Sequence, residues 1–212
     1  MLLAELRNEI VLTCRELLAA GLVVGTAGNV SARDGDLIAV SPSGVDYREL
    51  TAAQVGLHRR DGTPVDAPLR PTSELPLHLA VYASTEAKAI VHTHSAAATA
   101  LSTVAGELPA VHYYVAMFGG PVRVAPYATY GTDELAGHVV RALRGRTACL
   151  MANHGAVVTG PDLRAALDGG RFLEWLCEVY LRALPGGAPR VLPAAEIELV
   201  AAKLAAYGQQ RP

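Results

Sequence analysis

The chain has 212 residues, 51% hydrophobic and 18% charged, which is apolar side chain enough for one domain spanning 1–212 and excludes global disorder. Its 18 basic and 20 acidic side chains leave a net charge of −2, with no basic excess to bind a run of phosphates, so nucleic acid is excluded as a partner. Charges at Glu5 and Arg7 exclude a secretory signal, and Pro109, Gly119, Gly120 and Pro121 break the least charged stretch, Ser95 to Val122, before it can span a membrane.

Apolar residues at Leu3, Leu6, Ile10, Leu12, Leu17 and Leu18 predict an amphipathic helix from Leu2 to Leu22, ended by Gly21. A small, polar segment, Gly25 to Ser31, follows, then the turn signal Asp34-Gly35-Asp36 before a strand at Leu37–Val40, then the loop Ser41–Gly44. Thr72-Ser73-Glu74 opens a helix running to about Tyr82, with hydroxyl caps, an early acid and Pro76 in the first turn. A strand at Ala89–His94 leads to Ser95, which is expected to cap a short alanine-rich helix. Further strands are expected at Val122–Ala125, Thr147–Met151 and Ala156–Thr159, and helices at Thr132–Leu143, Asp162–Leu184 and Ala194–Tyr207, the last after the linker Pro185–Pro189. Interleaved strands and helices without repeats define the α/β class. Cys14, Cys149 and Cys177, odd in number, widely spaced and in apolar contexts, read as buried free thiols of a reducing cytoplasm.

His92-Thr93-His94 is the strongest chemical signal: on a strand, residues two apart face the same side, so both imidazoles point one way. His154, where a strand breaks into a turn, and Glu74, at a helix start, complete a set of three histidines and one carboxylate that suits a tetrahedral zinc ion. Competing readings remain open for each. Glu74 can simply favour its helix dipole, and His78, one turn on, can replace it as a ligand. His58 reads as the rim of a hairpin, His138 as part of an exposed helix face, and His112 as a satisfied core histidine. Asn29, Ser43-Gly44 and Thr72-Ser73 lie in loops rich in hydroxyls and backbone N–H groups, which bind a phosphate dianion or serve only as turns and caps. Lys88 and Lys203 are the only lysines, and neither is placed to form a Schiff base, which favours a metal route for any carbanion chemistry.

Thr26–Ser31, Ser41–Gly44, Pro71–Glu74, His92–His94, Pro109–Tyr113, Ala125–Thr132 and Asn153–Gly155 resemble, in order, the motifs of the class II aldolase/adducin family, over roughly Leu3 to Gly208. The resemblance implies a single domain with a largely antiparallel central sheet flanked by helices. It implies that Glu74, His92, His94 and His154 hold Zn2+ or another divalent ion, with Glu74 also the proton-transferring base, released from the ion when substrate binds. Asn29, Ser43, Gly44, Thr72 and Ser73 would hold the phosphate, Thr72 standing where many relatives have serine. Tyr113 would donate a proton in a neighbouring subunit's site, in a cytoplasmic homotetramer with sites at its interfaces, and Tyr207-Gly208 would close over the site. The implied reaction is cleavage of a ketose 1-phosphate, L-fuculose 1-phosphate or similar, to dihydroxyacetone phosphate and a short aldehyde through a metal-stabilised enediolate. Dehydratases of methylthioribulose 1-phosphate and pentulose-5-phosphate 4-epimerases share the ligand set, and a non-catalytic adducin-like binding module is the remaining alternative.

Overall fold

The computed structural model describes residues 1–206; the expectation for Tyr207 and Gly208 falls outside the described residues. Its strands are β1 (Asn29–Asp34), β2 (Leu37–Val40), β3 (Gly56–Arg59), β4 (Pro64–Asp66), β5 (Ala89–Thr93), β6 (Glu107–Leu108), β7 (Val122–Ala125), β8 (Ala148–Met151) and β9 (Gly155–Gly160). Its helices are α1 (Ala4–Ala19), α2 (Leu75–Ser84), α3 (Ala96–Val104), α4 (Asp133–Ala142), α5 (Leu163–Ala183) and α6 (Ala194–Ala205). The strands form a nine-stranded sheet in the order β4-β3-β2-β1-β5-β9-β8-β7-β6. Every pairing is antiparallel except β7 with β8, where α4 provides the crossover that parallel neighbours require. The fold is thus the α/β arrangement with a largely antiparallel sheet that the family resemblance implies.

Alternation along β5 decides which residues meet the site. Ala89 and Val91 enter a core shared with α1 and the start of α5, whereas Ile90 enters the core under α2 and α4. His92 therefore falls on the α2 face. In register, Asn29 opposes His92 and Ser31 opposes Ile90, so both polar residues of β1 face α2 as well. A third core, under α3, α5 and α6, includes Leu101, Val158, Leu173 and Leu176. Each fully buried aliphatic side chain contributes roughly 1.5–3 kcal/mol relative to exposure, and these three cores clamp the sheet on both faces.

Asp162 caps α5, accepting from the Ala165 N–H at 2.7 Å, and Thr132 caps α4, accepting from the Leu135 N–H at 3.3 Å. Ser95 does not cap α3 with its side chain: the Glu174 carboxylate of α5 accepts from the Ala97 and Ala98 N–H groups instead, at 2.7 and 2.8 Å. That long-range cap ties the chain just after His94 to α5. The sequence does not predict β1 or β6, and the hairpin expected around His58 is the β3–β4 pair. The Asp34-Gly35-Asp36 signal does make the β1–β2 hairpin, with Asp34 opposite Leu37 and Gly35 at φ 57°. Cys14, Cys149 and Cys177 are buried free thiols.

Candidate metal centre

Four side chains arrive from three places in the fold: the end of β5, the β8–β9 turn and the start of α2. His92 is the penultimate residue of β5, and His94 follows the strand's end. His154 stands in the turn from β8 to β9, where Asn153 takes the left-handed conformation, φ 56°, that asparagine tolerates better than most residues. Gly155 makes this approach possible, since a Cβ there would sit 2.1 Å from the Thr93 carbonyl oxygen. Glu74 lies not in the first turn of α2 but at its N-cap position, and its side chain makes no capping bond. Thr72 Oγ1 accepts the Glu74 N–H at 3.3 Å, which leaves the carboxylate to turn toward the sheet.

The three imidazoles form a nearly equilateral group, with ring centroids 4.7, 4.9 and 4.8 Å apart. Glu74 Oε2 is 2.9 Å from His92 Nε2, Glu74 Oε1 is 3.5 Å from His154 Nε2, and His94 Nε2 is 2.9 Å from His92 Nε2. One donor atom from each of the four lies within 4.8 Å of all the others. Donors about 2.0–2.1 Å from a tetrahedral ion stand about 3.3 Å from one another, so the set fits a divalent cation. Its second partners agree. His92 Nδ1 donates to the Ala156 carbonyl at 2.9 Å, which turns Nε2 toward the other donors. Glu74 Oε1 is buried and has no hydrogen-bond partner among the described residues. Convergent lone pairs in a buried corner favour a cation there.

Electrostatics sort the four groups. Burial alone would raise the Glu74 carboxyl, but the charge and hydrogen bond of His92, the Asn29 amide and His154 together hold it far below the usual carboxylate range. Burial works against a charged His92, yet Glu74 and the Ala156 carbonyl raise it above the ordinary histidine value. Burial, with the neighbouring His92 and His154, pushes His94 down to about 4. His154 is lowered by burial and by His92. Two of the three imidazoles are thereby kept as neutral ligands.

His78 is not a fourth imidazole of this group. It is fully buried, pushed down to about 3 chiefly by that burial, and its Nε2 meets Asn29 Oδ1 rather than the metal corner. His58 belongs to the β3–β4 hairpin but is buried on β3 rather than set at its rim, because the strand turns it inward, where Nδ1 bonds the Gly62 carbonyl at 3.2 Å. His138 is not on an open face: its side chain is 15% exposed and its Nδ1 donates to the Pro126 carbonyl at 2.9 Å. His112 is half-buried rather than core, accepting the Tyr114 N–H at 3.2 Å and stacking on Tyr113.

Beside the metal corner lies a cleft of about 340 Å³. Asn29, Ser43, Gly44, Thr72 and Ser73 all line it, together with Glu74, His94 and His154. The two hydroxyl loops are zipped together, the Ser43 N–H donating to Arg70 and the Thr72 N–H to Ser41. Tyr127 and Tyr130 overhang the mouth, and Gly131, φ 75°, lets their loop close on the Ser73 carbonyl, 2.8 Å from where a Cβ would stand. Among the described residues no lysine or arginine lines the cleft, and the anion-binding groups there are hydroxyls and N–H groups. Tyr113 is not brought to it. Tyr113 begins a 3-10 segment, Tyr113–Phe118, and sits in a surface aromatic group with His112 and Tyr114, which border Trp175. The sequence reading missed Asn29's bond to Glu74 and the side chains behind it; the signal for them was Asn29 and Ser31, two apart on one strand.

Residues 8–181 match the family described as Class II Aldolase and Adducin N-terminal domain. The 5-deoxy-D-ribulose 1-phosphate aldolase of Bacillus thuringiensis is 38% identical over 99% of this chain and 100% of its own. The L-fuculose phosphate aldolase of Escherichia coli is 39% identical over 96% of both chains. A solved L-fuculose 1-phosphate aldolase superposes with a TM-score of 0.93 at 37% identity, covering 95% of this chain and 96% of that one. Fold, donor set and sequence thus place the chain in the class II aldolase and adducin family. Within it the chain is a metal-dependent aldolase, a carbon–carbon lyase of sugar-phosphate metabolism. No helix among the described residues is long and apolar enough to cross a membrane.

Proposed function

We propose that this aldolase holds zinc on Glu74, His92, His94 and His154 and cleaves a short ketose 1-phosphate, of the fuculose or 5-deoxyribulose type, to dihydroxyacetone phosphate and an aldehyde. The observation that carries this reading is the buried, unpartnered Oε1 of Glu74, which faces an imidazole beside a cleft lined with hydroxyls. A bound divalent ion supplies a Lewis acid for the negative charge that develops on the substrate's oxygens.

The residues of the chain do the rest. The hydroxyls of Ser43, Thr72 and Ser73 and the N–H of Gly44 hold the phosphate at the cleft's polar end. Asn29 gives one amide hydrogen to Glu74 at 2.9 Å, and its second is assigned to the phosphate. In the direction of synthesis, Glu74 takes the proton from the carbon beside the ketone and Tyr113 of a second copy gives one to the aldehyde oxygen; cleavage reverses both transfers. Tyr113 is 42% exposed and outside its own chain's cleft, as a residue serving a neighbour's site must be. That placement is compatible with sites at subunit interfaces, and the reading proposed is a cytoplasmic homotetramer of one domain over 1–212.

The test is a panel of fuculose, rhamnulose and 5-deoxyribulose 1-phosphates given to zinc-loaded protein, with dihydroxyacetone phosphate as the readout. Release of that product from at least one of them is expected. Loss of water or epimerisation without it would move the chain to a dehydratase or epimerase role.

A further inference from the structure

We propose that His78 is a positioning residue for Glu74, acting through Asn29 at the head of a buried, one-way hydrogen-bond chain that runs back to Tyr82. The inference rests on Glu74 being the carboxylate of the metal site, as proposed above.

The direction of every bond follows from one end. A carboxylate oxygen only accepts, so at Glu74 Oε2 the donor is Asn29 Nδ2, 2.9 Å away. Asn29 then presents Oδ1, which also only accepts, to His78 Nε2, so that nitrogen must carry the ring's hydrogen. A neutral imidazole protonated there has a bare Nδ1, and Ser31 Oγ lies 2.6 Å from it and donates. Ser31 Oγ in turn accepts from the Tyr82 hydroxyl at 2.8 Å. Asn29, Ser31, His78 and Tyr82 are all at most 4% exposed, so water does not compete for these bonds.

Two periodicities build the chain. Asn29 and Ser31 are two apart on β1 and share a face; Glu74, His78 and Tyr82 recur every fourth residue along α2 and its cap. Two strand residues advance about 6.6 Å and four helix residues about 6 Å, so strand and helix meet rung against rung. Without a donor at Oδ1, the Asn29 amide is free to turn end for end, which sets a carbonyl lone pair against Glu74 Oε2. His78 forbids that turn. Oε2 is thereby kept on Asn29, and Oε1 is left for the ion and the proton.

Zinc affinity of the purified protein, measured against a chromophoric chelator, tests this without any sugar. His78→Leu is expected to weaken zinc binding about 10–100-fold, and His78→Gln, whose amide can donate at the Nε2 position, to recover most of that loss. A packing role alone would lower the melting temperature in both variants while leaving zinc affinity as in wild type, and would overturn the proposal. Should His78→Leu not fold, Ser31→Ala decides: a several-fold loss of affinity is expected, because the ring hydrogen can then move to Nδ1, and wild-type affinity would overturn the chain. Glu74→Ala run alongside separates two failures. Zinc bound by Glu74→Ala as tightly as by wild type overturns the metal reading and this inference with it; zinc lost there but unchanged in His78→Leu overturns the relay alone.

Discussion

Glu74 and His92 keep only 5% and 0% of their surface exposed, whereas Tyr113 and Trp175, in the aromatic group, keep 42% each. The metal corner is finished inside one chain: its donors come from the end of β5, the β8–β9 turn and the start of α2, and His92 and Glu74 have further partners behind them. The aromatic group stacks His112, Tyr113, Tyr114, Phe172 and Trp175 against one another at the surface, away from the cleft that its tyrosine is proposed to serve. The contrast teaches that ion binding and turnover have different requirements. On the function proposed above, ion binding needs one folded chain, while turnover needs a second copy to bring Tyr113 across.

Substitutions on the two sides sharpen that division. Glu74→Gln keeps the shape but removes both the charge facing the imidazoles and the proton carrier, so kcat should fall on the order of 10²–10⁴-fold, with zinc affinity reduced in the same protein. Tyr113→Phe should slow turnover by about 10²-fold and leave zinc content at the wild-type level. Rate assays paired with metal analysis check both, and zinc lost from Tyr113→Phe would break the division.

Much of the fold was legible because its signals are local. The helices α4 and α5 begin one residue past Thr132 and Asp162, the starts that the sequence predicts, where both side chains serve as caps. The β5 strand shows its apolar run plainly and carries His92 to the site. By contrast, β1 was hidden because its site-facing positions hold Asn29 and Ser31, so the face that should read as apolar reads as a polar loop. Short edges such as β4, all exposed, carry no hydrophobic pattern at all. The convergence of Glu74, His92, His94 and His154 was legible from spacing, residue type and the family resemblance, but the orientation of Glu74 was not. A helix-start acid ordinarily serves the helix; here Thr72 takes the backbone N–H and the sheet supplies better partners for the carboxylate. Glu174 as the cap of α3 depends on residues 76 and 77 positions away, beyond the reach of any local rule.

Titrating zinc into metal-free protein at pH 6, in weak buffer, reads ion stoichiometry and released protons together. His92 is raised above its ordinary value and so carries a proton at that pH, whereas His94, near 4, does not, and His154 is lowered. Saturation at about one ion per chain with about one to two protons released is therefore expected, and the proton count should fall as pH rises through the His92 value. Binding that never saturates, or release of more than about two protons as from three ordinary imidazoles, would contradict a centre built by Glu74, His92, His94 and His154.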